Sequence, residues 1–145
     1  MARKDLQWEF SSDPITEGDI QAVGEKLGVI FPKDYVQTAK KHHGGYPEPN
    51  RFMVEGVERV LGVLYSFDPE HEDGDLLTNN EDYRDEHGIP KQVVIFGEDP
   101  AGNFLCFDFR KDPKQPSIIF WNHEREGGDP KVVTHTFEDF LLMLH

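Results

Sequence analysis

At 145 residues and 16.7 kDa the chain can bury about two-thirds of its surface, from roughly 24,000 Å² unfolded to about 7,600 Å² folded, so one core can close without disulfide or metal. With 28 Asp and Glu against 15 Lys and Arg the net charge is −13, which argues against nucleic acid or an anionic membrane as partner and favours a cationic one. A content of 37% hydrophobic residues, with eleven Phe, excludes a disordered acidic tail.

The first predicted element opens at Thr16, whose hydroxyl suits an N-cap, with Asp19 at the capping-box position and Ile15 and Ile20 as a hydrophobic staple. Ile20, Val23 and Leu27 make its apolar stripe, and Gly28 ends it. A second helix starts at Pro32, buries Tyr35, Val36 and Ala39, and closes at Gly44-Gly45 after Lys40 and Lys41. From Arg51 the period becomes that of strands. Phe52–Glu55 and Val57–Phe67 read as two strands, or as one strand with a bulge.

Apolar residues then almost stop. Residues 68–86 hold nine acids and one base, Arg84, so this stretch carries −8 of the total −13. Within it, Asn80 to His87 reads as a short helix capped by Asn, with acids in its first turn and Gly88 at its end. After Pro90, Gln92–Phe96 and Phe104–Phe109 form a hairpin whose second strand sets Leu105, Phe107 and Phe109 against one layer and Phe104 and Cys106 against another. Ser117–Trp121 and Lys131–Thr134 are further strands. Thr136 caps a last helix with Phe137, Phe140, Leu141 and Leu144 inward. Helices segregate from strands, which predicts a single α+β domain over 1–145: an antiparallel, or mixed, sheet of about six strands with helices packed around it.

The chemistry-bearing patterns are mostly missing. Neither a phosphate-cradling loop nor a dinucleotide turn occurs, no serine sits in a nucleophile elbow, and no cofactor is implied. Cys106, the one cysteine, stands mid-strand among Phe104, Leu105 and Phe107, and reads as a core residue. It leaves no disulfide to form, which favours a reducing compartment. Residues 1–9 lack a signal-length apolar run and no segment is long enough to span a bilayer, so a cytoplasmic location is expected. His42-His43 point about 100° apart on a helix and cannot share an ion. The run His71-Glu72-Asp73-Gly74-Asp75 fits no metalloprotease or calcium-loop spacing. His123-Glu124 beside Trp121 is the best placed acid–base pair, and a polar strand end accounts for it more simply.

The acidic run remains. Charges so concentrated repel one another, whereas on a rigid scaffold they would steer a basic protein towards the chain. The residues concerned are Asp68, Glu70, Glu72, Asp73, Asp75, Glu81, Asp82, Asp85 and Glu86.

Several short pieces, in order, resemble the SUKH superfamily, whose members include a yeast cell-wall synthesis regulator and many bacterial immunity proteins. They are Leu27-Gly28; Phe31-Pro32-Lys33-Asp34-Tyr35, where the family has Leu-Pro-x-x-Tyr; and His43-Gly44-Gly45, where it has Asn-Gly-Gly. Val94-Ile95-Phe96-Gly97, Ala101-Gly102-Asn103 into Phe104–Asp108, Ile118–Glu124 and Thr136–Phe140 complete the set. Phe31, His43 and Asn122 depart from the usual Leu, Asn and Asp. The resemblance implies an α+β domain without catalytic activity, made beside a toxin, often a nuclease, that it neutralises by binding. It carries over no catalytic residues.

Together these readings predict a non-catalytic immunity protein whose acidic segment covers a basic toxin domain of nuclease type. An intracellular scaffold or regulatory domain without a toxin is the alternative, and a hydrolase or metal enzyme using His123 and Glu124 is the third reading.

Overall fold

The computed structural model describes residues 5–145, and Met1–Lys4, within the stretch read for a leader, lie outside it. The chain exposes 7979 Å², close to the expected folded area. Its elements are β1 (Gln7–Glu9), α1 (Glu17–Leu27), α2 (Lys33–His42), β2 (Tyr46–Glu48), β3 (Arg51–Val54), β4 (Val57–Val60), β5 (Val63–Leu64) and α3 (Leu76–His87). There follow β6 (Val93–Glu98), β7 (Phe104–Asp108), β8 (Ser117–Trp121), a 3-10 turn (Glu126–Gly128), β9 (Lys131–Thr134) and α4 (Phe137–Met143).

The α+β class holds, but the strands divide differently from the expected sheet of six. Five of them, β5-β6-β7-β8-β9, form an antiparallel meander, while β1-β2 and β3-β4 are separate pairs. The Val57–Phe67 run breaks at Leu61-Gly62, where the Leu61 amide donates to Asn50 and the Gly62 amide to Glu98. The β1-β2 pair has no counterpart in the sequence reading. It sets Trp8 opposite Pro47 and stacks the indole on His42 at 5.4 Å. The Thr16 capping box forms as expected, and Gly28 takes φ 77 at the end of α1.

One face of the meander meets α2 and α4 through an aromatic cluster. Tyr35 lies 5.0 Å from Phe107 and 5.3 Å from Phe137, and Phe96 lies 4.6 Å from Phe107. Phe52 of β3 joins it against Phe140 at 5.2 Å. The other face carries α3, whose Tyr83 and His87 pack on Phe104 at 4.9 and 5.3 Å. The alternation read for β7 is therefore correct: Phe107 faces the helical pair and Phe104 faces α3. Cys106 is fully buried, and burial pushes its thiol above the ordinary range, away from the thiolate a nucleophile needs.

The mid-chain helix is longer than expected and differently capped. It starts at Leu76, four residues before Asn80, with the Asp75 carboxylate accepting from the Thr78 amide, and its first turn carries no acid. Asn80 is buried because tertiary structure gives it another task. Its side chain accepts from the Ile95 amide at 2.8 Å and donates to the Ile95 carbonyl at 2.9 Å. Asn80 thus stands in for a neighbouring strand where β5 has ended, pairing both backbone groups of Ile95.

Candidate functional site

The acidic segment leaves the sheet at β5 and returns to it through α3. Its take-off is pinned by His43, which is buried at the end of α2. His43 Nδ1 accepts from the Phe67 amide at 2.9 Å, and Nε2 donates to the Asp13 carbonyl at 2.7 Å. One imidazole thus ties the chain before α1 to the chain before the acids. Ser66 completes the anchor: its hydroxyl meets that of Ser12 at 2.7 Å and accepts from the Asp68 amide at 3.0 Å.

The loop from Asp68 to Asp75 is a series of tight turns. The Asp68 carboxylate accepts from the Glu70 amide, His71 Nδ1 accepts from the Asp73 amide, and Asn79 donates to the Asp73 carbonyl. Gly74 sits at φ 80 with the Asn79 amide where a Cβ would project, so glycine is required there. The donor run His71–Asp75 is thereby used in turn construction. Among the described residues no group of three or more His, Cys, Asp and Glu is placed to hold a metal.

The nine acids separate into two kinds. Asp68, Glu70, Glu72, Glu81, Asp82, Asp85 and Glu86 are exposed, whereas Asp73 and Asp75 are half-buried. Asp75 is spent on the α3 cap, and Asp73 accepts the Tyr46 hydroxyl proton at 2.7 Å. Among the described residues, none of the nine pairs with a lysine or arginine. His71 lies 3.9 Å from Asp73 and His87 3.9 Å from Glu86. Arg84, the one base in the segment, instead donates to the Lys91 carbonyl at 2.8 Å.

Sequence reasoning missed a cluster beside these acids. Tyr46 of β2, Tyr65 after β5, Tyr83 of α3 and Asp73 gather around Glu98 of β6. Tyr65 donates to the Glu98 carboxylate at 2.8 Å. The bond to Asp73, with burial and the charges of Asp73, Glu72 and Glu98, pushes the Tyr46 hydroxyl up to about 12. Burial raises Glu98, and nearby Asp73 and Asp99 add to the rise against the Tyr65 bond. Burial and the neighbouring carboxylates likewise raise Tyr65 and Tyr83, so all three tyrosines remain neutral donors at ordinary pH. These residues come from four distant parts of the chain, and no local spacing signals their meeting.

His123 and Glu124 lie elsewhere, at the end of β8. His123 Nδ1 is 2.8 Å from the Asn103 side-chain oxygen, and Asn103 donates to the Asp99 carboxylate at 3.0 Å. Glu124 is exposed and 3.9 Å from His123 Nε2. Asp99 also accepts from the amides of Ala101 and Asn103, so this set builds the β6–β7 turn and holds the chain after β8 against it. No helix among the described residues is long and apolar enough to cross a membrane.

The α+β scaffold thus holds the acidic segment by its backbone and leaves seven of its carboxylates exposed. Residues 14–143 match the SMI1 / KNR4 family (SUKH-1), and the chain belongs to that family. No curated protein matches it.

Proposed function

We propose that the protein is a non-catalytic immunity protein that binds a basic toxin domain, of nuclease type, through the segment 68–86. The observation that carries this reading is charge without compensation: seven exposed carboxylates on a loop and helix whose backbone is held at His43, Ser66 and Asn80. A rigid acidic surface loses little conformational entropy on docking, and its field speeds encounter with a basic partner to about 10⁸–10⁹ M⁻¹s⁻¹ at low salt. Such a surface also competes directly with phosphate for a nuclease cleft. About 800 Å² per partner suffices for a standard interface, roughly a tenth of the 7979 Å² exposed here. Membership of the SUKH-1 family supports the reading.

The test is binding to the product of the adjacent reading frame, followed by calorimetry at 50 and 300 mM salt. Neutralising Glu81, Asp82, Asp85 and Glu86 together, as Gln and Asn, is expected to weaken the complex at least tenfold and flatten its salt dependence, with thermal unfolding little changed. Binding that ignores both salt and these substitutions would place the contact on another face. Turnover of a small molecule by the purified chain would overturn the non-catalytic reading itself.

A further inference from the structure

At the end of the central sheet where β6 begins and β7 has finished, an apolar groove of about 720 Å³ opens beside the α1–α2 connection. Leu27, Val29 and Ile30 line one side and Phe109 the other, with Lys91 and Lys114 also in its wall. Ile30 is 76% exposed, an unusual position for so large an apolar side chain at a concave site, and with Val29 it also lines a second hollow of about 420 Å³ against α1. The volume falls in the range of small-molecule sites, which are mostly apolar with a few polar groups that orient the ligand.

The local charge opposes that of the whole molecule. In a chain of net charge −13 the groove holds two lysines and one carboxylate, Glu25 of α1. The backbone at both lysines is fixed, the Lys91 carbonyl by Arg84 and the Lys114 amide by Asp112. Neither ammonium group has an ion-pair partner among the described residues. Strand β6 separates the groove from Glu98 by roughly 17 Å at about 3.3 Å per residue, so the site is distinct from the acidic cluster.

We propose that this groove binds a small anionic amphiphile, a carboxylate with an alkyl or aryl body, the body lying on Val29, Ile30 and Phe109 and the carboxylate meeting Lys91 and Lys114. Glu25 on the α1 side sets the orientation by repelling the head group.

Calorimetric titration with sodium decanoate and with decylammonium chloride, each below its micellar concentration, tests the assignment. Decanoate is expected to bind more tightly, although the net charge of the chain favours the cation. The exposed position of Ile30 makes Ile30→Asp tolerable for folding, which circular dichroism checks, and it is expected to reduce decanoate affinity more than tenfold. Lys91→Gln with Lys114→Gln is expected to weaken it about fivefold, in line with two exposed ion pairs. Equal or tighter binding of decylammonium, or unchanged binding to Ile30→Asp, would overturn the proposal. So would dimerisation abolished by Ile30→Asp in a chain that ignores decanoate, since the groove would then serve a second copy.

Discussion

The two faces of the five-stranded sheet are held by different physics. Against α2 and α4 the sheet interlocks Phe96 and Phe107 with Tyr35 of α2 and Phe137 of α4, each ring within 6.2 Å of the next. Against α3 it presents Phe104 to Tyr83 and His87, Leu76 is buried in the core, and the attachment is completed by hydrogen bonds between Asn80 and Ile95, with His43 holding Phe67 where the segment leaves the sheet. Ring packing commits whole side chains to the interior. Hydrogen bonds to backbone pin a segment at a few points and leave its other side chains to solvent, and so the acidic segment can be both fixed and exposed.

Substitutions on each face sharpen this contrast. Phe107→Ala should cost the most, about 3–5 kcal/mol by urea unfolding, because it removes a ring that touches Phe31, Tyr35, Phe96 and Phe137. A loss below 1 kcal/mol would mean that the aromatic face collapses to fill the space and is not the rigid side. Asn80→Ala should cost about 2–3 kcal/mol by leaving the amide and carbonyl of Ile95 unpaired, and amide hydrogen exchange should accelerate first in α3. Exchange that rises equally across the sheet would dissolve the distinction between the faces.

Tyr35→Phe acts in the opposite direction. Its hydroxyl is buried without a hydrogen-bond partner among the described residues while its ring packs, so the variant should be more stable by about 1 kcal/mol, read as a higher urea midpoint. A lower midpoint would show that the hydroxyl is used.

Smallest is the effect at Glu98, whose carboxyl is raised above its ordinary 4.5 by burial. A carboxyl that holds its proton more tightly when folded contributes stability below its unfolded value and loses it as pH rises through the folded value. Glu98→Gln should therefore gain on the parent between pH 4 and 7, and unfolding midpoints at the two pH values measure this. A constant difference would remove the argument for a desolvated carboxylate.

Local chemistry was legible wherever neighbours in sequence settle it. The Thr16 and Thr136 caps, the Gly28 stop, the alternation along β7 and the net −8 of residues 68–86 could all be read from the chain. The start of α3 could not. Asn80 and Asp75 are both good caps by residue type, and the choice between them depends on Ile95, fifteen residues beyond Asn80, which claims the amide. The acidic site was legible as charge but not as geometry, since nothing near Asp73 in sequence announces Tyr46 or Glu98.

The sequence alone determined the class of fold and the sign of the surface, because these follow from pattern and composition, and its short motifs carried the resemblance to the family. Only the tertiary structure decided which acids are spent on the fold and which stay free. It also decided that three tyrosines gather around two carboxylates, and that a groove with two lysines opens on an acidic molecule. Each of these depends on segments far apart in the chain, and the burial that brings them together has no signature within a single window of residues.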